Sequence, residues 1–437
     1  MTKGKRGMHR TLCPVEKFYI VQRSRAVIPC TVHGDVDEKL LAAAFAAKVA
    51  EHPSLRCRIE QAGEACVLQP LEEPDLPGLV VRPGGPTAFS AELNTPLLMG
   101  GPLVRAVLLR GEAEHTTVLS VDHTISDGHS AIALHDALWR TYSALADGKS
   151  ITPAGAGGSW PDPVTDRLPP CPKEELEQYL ARRIERTRRF PIAALPYEAV
   201  ETDGAGHRQG VDVRRVLLQP GQTTRLVRFS KAAEVSVHGL VSAALLIALR
   251  RKLGADANAR ALGCLSPLDL RARLTPPLQR EVMVPAVASY LDVLEVTDDA
   301  DPLSLGRQVT ANLHAAIERG DFIQEARILS LAVSNPALLT ASVIVTNLGC
   351  HPSPPTPRGL DVTDVRLIPV REHYYPEAGK GPLMACVVSF DNRLSIELPY
   401  STECFSHEQI REIRNSVQTT LLTFVGHDET DDTVRKR

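Results

Sequence analysis

Apolar positions along this chain recur with two spacings, every second residue and every third to fourth, and the switches between them mark its elements. Residues 25–34 (RAVIPCTVHG) predict a first strand. A helix to about residue 51 follows, with Asp35 or Asp37 as its cap and Leu40, Leu41, Ala44, Phe45 and Val49 as its apolar stripe. His52-Pro53 ends it, and residues 55–60 resume as a strand. Shorter strands are expected at 65–69 and 79–82, and an apolar strand after the turn Gly100-Gly101-Pro102-Leu103. Residues 116–121 read as a strand that runs into the loop His123-Thr124-Ile125-Ser126-Asp127-Gly128. A helix then starts near His129, with Ile132, Leu134, Leu138 and Tyr142 at helical spacing.

Residues 149–172 are rich in glycine and proline, lack any period, and mark the expected boundary between an N-terminal lobe (1–172) and a C-terminal lobe (173–437). Beyond it come a charged helix at 174–190, a polar loop at 201–210, a strand at 213–218 and a helix at 223–234. Residues 237–253 are apolar nearly all round, which places that helix between layers. An apolar strand then leads to Asp269-Leu270-Arg271, followed by a strand at 287–296 and an amphipathic helix at 302–320. Strands are expected at 342–349, 362–370 and 383–390. Asp391-Asn392 turns a hairpin into 394–398, where Pro399 is expected to end the strand. Ser406 caps the last helix, with Glu408 near its third position. The irregular alternation fits an α/β (α+β) chain of mixed sheets with packed helices, in two domains.

The length of 437 residues agrees with two domains, and 43% hydrophobic content describes a globular protein. A net charge of −3 gives no reason to expect nucleic-acid binding. Nine cysteines without a CxxC pair look like small apolar residues in a reducing compartment. The basic start MTKGKRGMHR is followed by residues broken by charges, so it fails as a secretory signal. No run of about 18 apolar residues could span a membrane. These features suggest a cytoplasmic protein with a frayed N-terminus.

His123 carries the chemical interest, because a histidine at a strand end is rigidly held yet can face a cleft. It can serve as a general base, with Asp127 bonding to it or bracing the loop. It can instead ligate a metal with His129 and His135, although the spacing of six does not put those two on one helix face. It can also be a satisfied core histidine, with Asp127 simply capping the helix.

The loop matches HxxxDG, and on that signature the chain resembles the chloramphenicol-acetyltransferase-like acyltransferases, the superfamily of condensation domains and plant BAHD enzymes. Agreement runs in order through His52-Pro53-Ser54-Leu55-Arg56, the Gly100-Gly101-Pro102-Leu103 turn, the HxxxDG loop, SPLDLR, VTNLG and the closing hairpin. The stretch SPLDLRARLTPPL, with ASYLDVLEV after it, is most similar to stand-alone polyketide-associated acyltransferases of the phthiocerol dimycocerosyl transferase type. The residue before the motif histidine, often a second histidine in condensation domains, is Asp122, and the DFGWG motif of the plant branch is absent.

The resemblance implies two similar lobes with a tunnel between them. It implies transfer of an acyl group from coenzyme A or an acyl carrier protein to a hydroxyl, less readily an amine, with His123 as base and no acyl-enzyme. It implies no cofactor beyond the thioester substrate, and a carrier protein or polyketide synthase acting in trans. Asp127 would pair with Arg271, and Gly128 would let substrate approach closely. Asn347 and Thr346 are candidates for the oxyanion wall, although VTNLG also reads as a plain strand end. Arg182, Arg183 and Arg186 either line a solvated helix end or offer a docking surface to an acidic carrier. A non-catalytic docking protein of the same fold is the remaining alternative.

Overall fold

The computed structural model describes residues 9–63, 65–151, 159–199, 210–253, 261–333, 335–372 and 381–426. The expected polar loop at 201–210 falls, but for its last residue, outside them. Two six-stranded mixed sheets form the halves. The first runs in the order Asp361–Val365, Arg25–His33, Glu114–Asp122, Val104–Arg110, Leu79–Pro83, with Ile368–Val370 also paired to Arg25–His33. The second runs Val287–Glu295, Ala261–Asp269, Val343–His351, Leu383–Phe390, Arg393–Ser401, Val211–Leu218. A three-stranded sheet joins Arg10–Thr11, Ala65–Pro70 and Cys57–Ala62.

The first sheet takes two of its strands from late in the chain. Asp361 lies opposite His33, Val365 opposite Cys30 and Ile368 opposite Val27. Leu360, Val362, Val365 and Leu367 share one core with Ile28, Cys30 and Val32, so residues 360–370 belong to the N-terminal lobe in packing although they follow residue 172. Arg215 fastens the return with two bonds to Asp364, at 2.6 and 2.8 Å, and Arg25 pairs with Glu372.

The nearly all-apolar stretch forms the helix Val237–Arg250, whose residues from Gly239 onward are all buried against the second sheet and neighbouring helices. Pro399 does not end its strand, which continues to Ser401. Beyond Glu397 that strand is paired on one side only, by Val211–Leu218, so a missing N–H is tolerated there. The last helix is capped by Ser406 as expected, but its third position is Gln409 rather than Glu408. The phrase around Pro53 folds as a 3-10 turn, Pro53–Arg56, and the strand starts at Cys57. Ser54 Oγ in that turn donates to Met283 O at 3.3 Å, tying the two halves together.

Three α-helices among the described residues have no counterpart in the hydrophobic pattern, Pro14–Gln22, Pro86–Leu93 and Asp321–Val333. The first corrects the expectation of a frayed N-terminus for the described residues from 9 onward. Its fully buried Glu16 accepts from Cys13 N at 2.8 Å and from Arg10, which pins the entry to the helix. No single helix among the described residues is long and apolar enough to cross a membrane.

Candidate active site

His123 stands one residue past the strand Glu114–Asp122, which is paired on both sides and therefore rigid. Its N–H donates to Ser24 O at 2.9 Å. The turn behind it is closed by Asp122, whose Oδ1 accepts from Thr124 N and whose carbonyl accepts from Ser126 Oγ. Burial raises the Asp122 carboxyl to about 6. The His123 ring lines a cavity of about 520 Å³ built from both halves of the chain, a size that suits a small organic substrate. Nδ1 is buried without a hydrogen-bond partner. Burial pushes the imidazole down to about 4, against the pull of nearby backbone groups and of the Asp127 charge. At neutral pH the ring is therefore uncharged, the form a general base requires.

Asp127 does not touch that ring through any of its described bonds. Oδ1 accepts from Ser130 N at 2.9 Å and Ser130 Oγ at 3.1 Å, capping the helix Gly128–Ala146. Oδ2 accepts from Arg271 Nη2 at 2.7 Å and Ala286 N at 2.9 Å. A carboxylate offers about four acceptor sites, so this one is filled. Arg271, only 2% exposed, spends three more donors on Gln279 O, Val282 O and Val284 O. The contact is thus a single Nη2–Oδ2 bond rather than a two-pronged pair. The guanidinium instead clamps residues 279–284 to the histidine loop.

Gly128 has no positive φ, so its backbone conformation does not call for a glycine. Space is the reason. A Cβ there would stand 2.9 Å from Leu348 Cδ2 and 3.2 Å from Leu367 Cδ2. Leu348 lies in the strand Val343–His351, whose pairing register with Leu383–Phe390 shifts between Asn347 and Cys350. Such a bulge re-aims side chains. Thr346 and Asn347 both line the cavity, and Asn347 Oδ1 accepts from Gly349 N at 3.0 Å. That bond fixes the amide and leaves its NH₂ as the group free to donate elsewhere.

The rest of the wall is mainly aliphatic, and the helices Pro14–Gln22 and Asp321–Val333, both unforeseen, supply part of it: Val15, Phe18 and Tyr19 from one, Ala326 and Leu329 from the other. Arg183 lies on this wall, not on the outer surface expected for a docking residue. It is 7% exposed, with Nε on Glu325 Oε1 at 2.9 Å and Nη2 on Leu338 O at 3.1 Å. Arg186 bonds Asp292 at 3.2 Å and Tyr290 OH at 3.3 Å. Arg182 alone of the three is exposed, its guanidinium over the Tyr179 ring. A helix that looks solvated by composition therefore turns two of its cations inward, toward acids more than 100 residues away.

The histidines do not converge. His129 lines the cavity 3.9 Å from Asp269 Oδ2, whereas buried His135 accepts from Trp139 Nε1 at 3.0 Å on a different side of the helix. Among the described residues, no three His, Cys, Asp or Glu side chains are grouped to hold a metal ion. Tyr19 is the site residue that sequence reading missed. Its ring stacks on His123 with centroids 3.8 Å apart and planes 8° from parallel.

The fold is two-lobed, with the strand-end histidine of an HxxxDG loop facing a shared cavity, and its named relatives are acyl-transferring enzymes. The condensation-domain sequence profile matches residues 27–258, just over half of the chain, and the chain belongs to that family. The profile described as the phthiocerol/phthiodiolone dimycocerosyl transferase C-terminus matches residues 207–399. A phthiocerol/phthiodiolone dimycocerosyl transferase from Mycobacterium ulcerans is 27% identical over 394 residues, 89% of this chain and 91% of its own. Its Mycobacterium tuberculosis namesake is 27% identical over 358 residues, 77% and 80% of the two chains. Among solved structures, polyketide synthase associated protein 5 from Mycobacterium tuberculosis superposes with a TM-score of 0.72 at 21% identity, covering 95% of this chain and 98% of that one. A trichothecene 15-O-acetyltransferase from Fusarium sporotrichioides gives 0.73 at 13% identity, covering 97% of each.

Proposed function

We propose that this acyltransferase moves an acyl group from a thioester of coenzyme A or an acyl carrier protein directly to a hydroxyl of a lipid, polyketide or similar secondary-metabolite acceptor. The observation that carries the reading is the uncharged His123 imidazole on the wall of an otherwise mainly aliphatic cavity between the halves. As the acceptor oxygen attacks the thioester carbonyl carbon, His123 takes the hydroxyl proton. The C–S bond then breaks, and the imidazolium returns that proton to the departing thiolate. Asn347, and the Thr346 region beside it on the cavity wall, would donate to the oxyanion, which needs hydrogen bonds where charge develops. The reaction as written needs no resident cofactor. A carrier protein would act in trans, and of the three arginines considered for it Arg182 is the one left exposed.

Purified protein given short- and long-chain acyl-CoAs, or the same chains on a carrier protein, with alcohol and amine acceptors tests this. Ester formation is expected, with no mass gain on the enzyme when acceptor is omitted. Amide as the only product would make it an amide-forming condensation enzyme, and a stable acyl-enzyme would overturn direct transfer. No turnover with any donor would point to a docking protein that has kept the fold.

The pH profile follows from the depressed imidazole. An ordinary histidine base near 6.5 would lose activity below about pH 6.5. Here kcat/KM should stay level from about pH 8 to about pH 6 and bend down only toward pH 4. Stability moves with the same group: between about 6.5 and 4 the unfolded chain binds a proton that the folded chain refuses, so acidification through that window destabilises the fold. His238, also pushed down to about 4 by burial, adds to the effect. An acid limb centred near 6.5 would contradict the depression of the His123 imidazole.

A further inference from the structure

A general base needs its ring held at one angle, and the usual holder, a carboxylate on Nδ1, is missing. The Asp127 oxygens are taken by Ser130, Arg271 and Ala286, and Nδ1 of His123 makes no well-aligned hydrogen bond, with only backbone groups of His123 and Ser126 beside the ring. Rotation about the last side-chain torsion of a histidine is otherwise broad. We infer that Tyr19 is the positioning residue for His123, its ring face clamping the imidazole plane so that Nε2 stays turned to the acceptor. This rests on His123 being the base.

Three observations carry it. The rings are 3.8 Å apart and 8° from parallel, so every torsion between two settings a half-turn apart drives the imidazole into the tyrosine. Backbone groups of His123 and Ser126 beside the ring favour one of those two, because a ring nitrogen, not a carbon, gains from facing them. The clamp is also anchored at both ends: Tyr19 O accepts from Ser24 N at 3.1 Å, and Ser24 O accepts from His123 N at 2.9 Å. Arg23, at φ 45° in the left-handed region, closes the helix between them. Residues 19–24 thus hold the backbone and the ring of His123 from one rigid turn. Tyr19 touches no reacting atom in this scheme, and its work is done by the ring face rather than the hydroxyl.

Tyr19→Phe and Tyr19→Leu in the full chain test this. The phenylalanine variant should keep kcat within about threefold, since the stack persists. The leucine variant should lose about 10–100-fold in kcat, the cost of a slightly misplaced catalytic group, with KM nearly unchanged. Its acid limb should also move up toward about 6.5, because water reaches the bared imidazole face. In the NMR spectrum of the unaltered protein the His123 Cε1 proton should lie upfield, shielded by the tyrosine ring. Loss of activity in the phenylalanine variant equal to that in leucine would shift the role to the hydroxyl and overturn the inference. So would a folded leucine variant with wild-type kcat and acid limb. If the leucine variant does not fold, an unshielded His123 proton in the unaltered protein still overturns it. A fully active His123→Ala variant marks failure of the base assignment itself, whereas an inactive His123→Ala beside a normal Tyr19→Leu marks failure of the clamp alone.

Discussion

Replacing His123 with alanine lowers kcat by about 10²–10⁴-fold, the contribution a positioned general base typically makes. The fold survives the change. The side chain ends in a cavity, its Nδ1 makes no well-aligned hydrogen bond, and the main-chain bond to Ser24 O is retained whatever the side chain. KM should shift little, because the imidazole acts on a proton in flight rather than on ground-state binding. Steady-state kinetics beside a melting curve check this. A folded variant as active as the parent removes His123 from the chemistry.

Replacing Arg271 with methionine destabilises the protein by about 3–5 kcal/mol, the usual cost of stranding one member of a buried ion pair. The Asp127 carboxylate would keep Ser130 and Ala286 as donors but lose the only cation bonded to it among the described residues. Three carbonyls at 279, 282 and 284 would lose their donor as well, so residues 279–284 should loosen from the histidine loop. Activity should then fall at temperatures where the fold is still intact. Removing both charges together, Asp127→Asn with Arg271→Met, should cost less than the two single changes added, since neither is left facing an unpaired partner. Denaturant titration of the four proteins measures this. A single-variant loss below about 1 kcal/mol would mean that the pair is not under the low-dielectric conditions its burial implies.

Sequence reading reached what is local. The loop from His123 to Gly128, the strand into Asp269, the turn at Asp391-Asn392 and the Ser406 cap are each written in a few adjacent residues. Family resemblance brought Arg271 to Asp127 across 144 positions, though not the geometry, because the carbonyls that share the guanidinium leave no trace in composition. Tyr19 escaped notice because its helix has nine residues and sits against both halves, so no polar face alternates with an apolar one. Arg183 misled for the opposite reason. Its helix is highly charged, and only the fold reveals that Glu325 and the Leu338 carbonyl wait inside for it. The return of 361–370 to the first sheet is likewise a pairing at a distance of more than 300 residues, which no local pattern encodes.

That return has a mechanical corollary. The late strands stitch the N-terminal sheet to the C-terminal polypeptide with main-chain bonds, and Arg215–Asp364 and Arg25–Glu372 rivet the seam. For the halves to gape like a clamshell, Arg215 of the second sheet would have to release Asp364 of the first. On the proposed function, an acyl chain of any length would then enter and leave lengthwise between the walls rather than through a swing of the lobes.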